Sequence, residues 1–211
     1  MSYFLKSNLK IIHYILITIV MSLYIFGSVV TYADKKVFNI ENVYKLLQQK
    51  KFKEGIEELE VLSSQNEINA QLLYSKILFS GDITPQNFES SYFWASAALL
   101  GGLKDGKKIT QKLDNYLSVK QIENVQDKLN IFLEKRIFDK DKRAIIQIAK
   151  FYESYIDPPD MVNAYTWYNI AVAMGIKTAK NKRDETLAAL NKKDLLEAQK
   201  LSIKLFKRIN N

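Results

Sequence analysis

From Ile40 onward, apolar residues recur at the three- and four-residue spacing of amphipathic helices. Ile40, Val43, Leu46 and Leu47 form one stripe, and Ile56, Leu59 and Leu62 a second, with a bend at Lys50-Lys51-Phe52. Together they predict a helical hairpin over 40–63, ended by Ser63-Ser64-Gln65-Asn66. Beyond it the periodicity predicts helices over 69–80, 88–100, 105–116 and 119–136. Four more follow over 141–154, 161–174, 178–189 and 192–209. The last carries Leu195, Leu196, Ala198, Leu201, Leu205 and Phe206 as an apolar face, with Lys193, Lys200, Lys204 and Lys207 elsewhere.

These helices fall into two copies of one pattern. At an offset of 73 residues, 11 of 44 aligned positions are identical without a gap, from Ile83 with Ile156 to Gln126 with Gln199. The only two tryptophans, Trp94 and Trp167, fall in register, as do Ala98 with Ala171 and Gly102 with Gly175. These six residues define the repeat. The punctuation matches as well. Asn87 aligns with Asp160 and Ser118 with Asn191, each an N-cap residue ahead of an apolar-periodic run. Gly102 and Gly175 suit the left-handed position that closes a helix. A large ring near the start of a helix and an alanine one turn later suit two hairpins packed closely, because a hairpin alone cannot hide its apolar side.

The segment Asn163-Ala164-Tyr165-Thr166-Trp167-Tyr168-Asn169-Ile170-Ala171-Val172-Ala173-Met174-Gly175 resembles the second helix of a Sel-one-like repeat, a relative of the tetratricopeptide repeats. Ser91 to Gly102 repeats the pattern: a small residue, an aromatic pair, alanine-type positions, then glycine. The likeness covers most of 67–205. It departs in the first helices, where Leu73-Tyr74 and Gln147-Ile148 replace the usual Leu-Gly and Gly81 becomes Ser154. The resemblance implies an all-α fold: a short right-handed superhelical solenoid of antiparallel hairpins. It also implies scaffold or adaptor behaviour and does not imply a reaction. The expected organisation is a signal or anchor over 1–33, a helical hairpin over 37–66, a first repeat unit over 67–138, and a second unit with the C-terminal helix over 139–211. First helices line the inner curve of such solenoids, which makes Tyr74, Phe79, Tyr152 and Tyr155 the candidate contacts for a partner.

Ahead of the repeats, Lys6 and Lys10 precede an apolar run from Ile11 to Val30, followed by Thr31-Tyr32-Ala33 and the polar Asp34-Lys35-Lys36. That is the layout of a secretory signal cleaved between Ala33 and Asp34. The run is also long enough to span a bilayer as an uncleaved anchor. Either way, the positive charges stay in the cytoplasm and the body is exported, to the periplasm or beyond, or held there at the inner membrane.

The chain has no Cys, and its one His is His13, inside the apolar run. The body therefore lacks disulfides, the usual nitrogen and sulfur metal sites, histidine acid–base chemistry and thiol nucleophiles. Asp157 and Asp160, around Pro158-Pro159, read as a loop and an N-cap rather than a catalytic pair. No cofactor or metal is expected, and no enzymatic activity. The net charge is +8, or +6 once Lys6 and Lys10 are removed. The lysines are scattered among acids, so no nucleic-acid partner is expected, and membrane contact only through 11–30 if uncleaved. The composition and the resemblance together predict a scaffold that binds another protein or peptide in the cell envelope. The alternative is an accessory factor that contacts peptidoglycan or polysaccharide.

Overall fold

The computed structural model describes residues 38–210. The expected signal or anchor, with its Ala33–Asp34 junction, lies outside the described residues. The described chain is all helical, without a strand. A first hairpin pairs α1 (Ile40–Gln48) with α2 (Phe52–Ser64). The first copy of the repeat follows as α3 (Ile68–Ser80), α4 (Phe88–Leu100), α5 (Asp105–Leu113) and α6 (Val119–Phe138). The second consists of α7 (Lys142–Lys150), a π-helical turn (Phe151–Tyr155), α8 (Met161–Ala173), α9 (Ala179–Ala188) and α10 (Lys192–Asn210). Among the described residues no helix is long and apolar enough to cross a membrane.

Starts and stops follow the caps. Asn87 accepts from the Ser90 amide and Asp160 from the Asn163 amide, both at 2.9 Å, so α4 and α8 begin alike. Ser118 forms a capping box with Gln121, and Asn191 accepts from the Asp194 amide at 3.0 Å. Gly102 and Gly175 close α4 and α8 with φ of +108° and +83°. Packing repeats with the caps. In the first copy α4 touches α3, α5 and α6; in the second, α8 touches α7, α9 and α10. Helix α6 then packs on α7 and joins the copies, while α2 packs on α3. Each copy thus hides its apolar stripes against neighbouring helices, as a helical repeat must.

The two tryptophans occupy the same step of this pattern but are not equally hidden. Trp167 is 3% exposed in the largest core cluster. Trp94 is half-buried, with ring centroids 4.7 Å from Phe93, 5.7 Å from Phe132 and 6.1 Å from Tyr74. The cause lies on the partner helix. In the second copy, Ala198 and Ser202 let α10 approach α8 closely enough for Ser202 Oγ to donate to the Thr166 carbonyl at 3.3 Å. The matching residues of the first copy are Phe93, Val125 and Leu129, whose bulk holds α6 away from α4.

A buried polar latch ties the first hairpin to the second copy. Asn66 lies fully buried in the left-handed conformation (φ +63°) between α2 and α3. Its Nδ2 donates to Asp141 Oδ2 at 2.9 Å and to Gln147 Oε1 at 2.7 Å. Its Oδ1 accepts from Gln71 at 3.1 Å and Gln147 at 3.2 Å. Arg136 brackets the latch, donating to the Gln65 carbonyl at 3.4 Å and lying 3.7 Å from Asp141. Burial pushes the Asp141 carboxyl up, but hydrogen bonds from Arg143 and Asn66 outweigh it and hold the group below its ordinary value of 3.8. A carboxyl depressed in the folded state contributes stability above its unfolded pKa and loses it as pH falls through the folded value. The melting temperature is therefore expected to drop on acidification below about pH 4. Asp141→Asn should flatten the curve in that window, which a calorimetric pH series would read; an unchanged slope would remove Asp141 from the latch.

Candidate binding cleft

Where Gly81 ends α3 in the left-handed region (φ +74°), the second copy has Ser154. A residue with a Cβ resists that closing conformation. The chain instead keeps winding past Lys150 in a wider turn, closed by the Ile156 amide on the Phe151 carbonyl at 3.2 Å. This π turn directs successive side chains to different helices. Phe151 enters the core at 4% exposure. The Tyr152 hydroxyl donates to Asn130 of α6 at 3.1 Å. Glu153 accepts from Tyr168 of α8 at 2.6 Å and pairs with Lys182 of α9 at 3.0 Å. The Tyr155 hydroxyl donates to Ser96 Oγ of α4 at 2.5 Å.

Beside Tyr155 a cleft of about 500 Å³ opens between the copies. Leu99 and Leu100 give it an apolar side, and Thr110, Gln111 and Asp114, on and just beyond α5, a polar one. Lys107 and Lys150 line it from opposite copies, and neither is in an ion pair among the described residues. At its base Tyr155, Tyr92 and Asp114 lie together. Burial, then the neighbouring Tyr92, push the Tyr155 hydroxyl up; burial and the Asp114 charge do the same to Tyr92. Both phenols keep their protons at any physiological pH. The cleft therefore presents a carboxylate acceptor, two cationic donors, an amide and an apolar wall.

The four aromatics proposed from the sequence do not share one surface. Tyr155 lines the cleft, and Tyr152 fastens the π turn to α6. Tyr74 is 8% exposed in the cluster of the first hairpin and donates to Glu60 at 2.5 Å; burial and that bond push its pKa up. Phe79 is half-buried, 6.0 Å from the Phe88 ring with the Lys112 ammonium over its face at 6.0 Å. Sequence reasoning missed Ser96, Lys107, Asp114 and Lys150, which come together only because α5 and the π turn face one another. The change from Gly81 to Ser154 was the one visible trace of that turn. The chain matches no protein family and no characterised protein. The cleft's geometry therefore stands alone as the guide to its chemistry. Among the described residues no cluster of three or more His, Cys, Asp or Glu could hold a metal ion. Asp160 is committed to capping α8, its second oxygen accepting from Asn163 Nδ2 at 2.7 Å.

A second opening, of about 480 Å³, lies along α4 where α6 stands off. The half-buried Trp94 and Phe93 line it, with Glu89 and Lys128, 3.9 Å apart, among its polar residues.

Proposed function

We propose that the chain is an exported helical-repeat scaffold of the Sel-one-like kind, a short right-handed solenoid behind a signal or anchor helix. In this reading it works without catalysis, and the inter-copy cleft binds an extended segment of another envelope protein. The observation that carries it is the convergence of unpaired donors, a carboxylate and an apolar wall in one cleft built by both copies. A peptide strand offers the complement: amides for Asp114, carbonyls for Lys107, Lys150 and Gln111, and apolar side chains for Leu99 and Leu100. A photo-crosslinking residue at Gln111 is expected to give a reproducible adduct in cells, and one at the exposed Ile131 of α6 none. Adducts of equal yield at both positions, or none at Gln111, would sink the cleft.

The half-buried Trp94 favours a second reading, contact with peptidoglycan or polysaccharide. An indole face beside polar side chains stacks on a sugar ring while the rim bonds its hydroxyls. Soluble glycan fragments are then expected to change tryptophan fluorescence in the native chain and not in Trp94→Phe, because the buried Trp167 stays silent. A response that survives Trp94→Phe would discard this reading.

A further inference from the structure

The outer side of helix α10 is mostly polar, but two exposed aliphatic side chains stand among its lysines. Its inner side is spent on α8: Ala198, Ser202 and Ile209 are buried, and Leu195, Leu201, Leu205 and Phe206 half-buried. Leu196, grouped with that face by its spacing, instead points outward. It is 49% exposed and Ile203 59% exposed. The two lie on one stripe with Lys193, Lys200 and Lys207, and Lys204 flanks it. The helix carries Lys192, Lys193, Lys200, Lys204, Lys207 and Arg208 against Asp194 and Glu197, a net charge of +4. None of its five lysines is in an ion pair among the described residues, whereas Arg208 is spent over the Phe138 ring at 5.1 Å. Beside the stripe lies a notch of about 190 Å³ with Ile170, Ala173, Ile203 and Phe206 as its apolar lining and Lys207 as its only charged residue.

We propose that the outer stripe of α10 docks on an anionic phospholipid surface. This contact is separate from the cleft and additional to any made by the apolar run at 11–30. Unpaired cations attract anions, and the exposed Leu196 and Ile203 gain from an apolar phase within a side chain's length of those anions. A bilayer interface supplies both along the helix's length: headgroup phosphates for the lysines and the acyl boundary for the two aliphatic side chains. An apolar notch with a single cation matches one lipid, its chain against Ile170 and Phe206 and its phosphate on Lys207. A second copy of the same helix is disfavoured, because it would set +4 against +4.

The test uses the full chain, which has no native cysteine. Ile203→Cys carries an environment-sensitive fluorophore, and Ile131→Cys on α6 carries the same label as a control. The protein is reconstituted in phosphatidylcholine vesicles with or without phosphatidylglycerol. The label at 203, and not at 131, is expected to shift to the blue and be quenched by doxyl-labelled lipid when phosphatidylglycerol is present. High salt should abolish the effect. Lys200→Glu with Lys207→Glu, both at exposed positions, should lower the docked fraction at least about tenfold with the melting temperature unchanged. Equal quenching in neutral vesicles, or none in either, would overturn the proposal. So would a shift that tracks protein density rather than lipid charge, which would mark self-association, or one that requires an added acidic protein. The crosslinking at Gln111 reads the cleft independently.

Discussion

Asn66→Ala is expected to destabilise the protein by about 4 kcal/mol, lowering Tm by roughly 8–16 °C for a chain of this size. Among the described residues Asn66 is the only side chain that bonds Gln71, Asp141 and Gln147 at once, and all four of its bonds lie in or beside buried space. Alanine leaves two glutamines and a carboxylate facing each other without their shared amide, and buried polar groups stripped of partners cost about 1–3 kcal/mol each. It also places a Cβ residue without asparagine's polar tip in a left-handed conformation, worth about 1 kcal/mol. Asn66→Gly separates these parts, because it keeps the backbone and loses only the bonds. It is expected to recover about 1 kcal/mol of the loss. Because the latch spans 75 to 81 residues of sequence, its loss should also free the first hairpin. Hydrogen exchange would show this as faster exchange in α1 and α2 than in α8. A drop under about 1 kcal/mol would mean that water replaces the amide and that the latch does not hold the hairpin.

Gly106→Ala is the second large effect expected, at about 3 kcal/mol. A Cβ at position 106 would stand 2.3 Å from the Ala95 carbonyl oxygen and 3.0 Å from the Leu99 amide nitrogen. Both are backbone atoms of α4 and cannot swing aside, so α5 must lift from α4. That movement carries Lys107, Thr110, Gln111 and Asp114 with it, because all four ride on α5 or its end. The same substitution is therefore expected to lower both Tm and the Gln111 crosslink yield. The second copy has Ala179 at the matching position, 2% exposed, so its third helix already accommodates the methyl group. Ala179→Gly should cost only about 1 kcal/mol, the ordinary propensity loss. A Gly106→Ala protein as stable as the native chain would show that the α4–α5 contact yields more than its geometry suggests.

Much of the helical layout was legible because its determinants are local. A cap such as Asn87 or Asp160 acts on an amide three residues away, and Gly102 or Gly175 permits a backbone angle at its own position. Each helix of the two copies accordingly starts within one residue of where the pattern placed it. The hairpin bend was legible for the same reason, Lys50 taking the left-handed conformation (φ +58°). The candidate site was far less legible. Tyr155 could be picked out as an aromatic on a first helix, but Tyr74 looked equivalent and is buried against Glu60. Periodicity says which residues share a helix face; it does not say how much of that face the next helix covers.

The sequence by itself determined where the helices start, most of the caps and the two-copy register, all consequences of forces that reach a few residues along the chain. Only the tertiary structure decided three further things: that Trp94 lines an opening while Trp167 is sealed, that Lys107 and Lys150 line one cleft from opposite copies, and that Leu196 and Ile203 face outward among lysines. Each depends on how helices distant in sequence pack together. For the tryptophans the difference lies in residues far away in sequence, Val125 and Leu129 in one copy against Ala198 and Ser202 in the other.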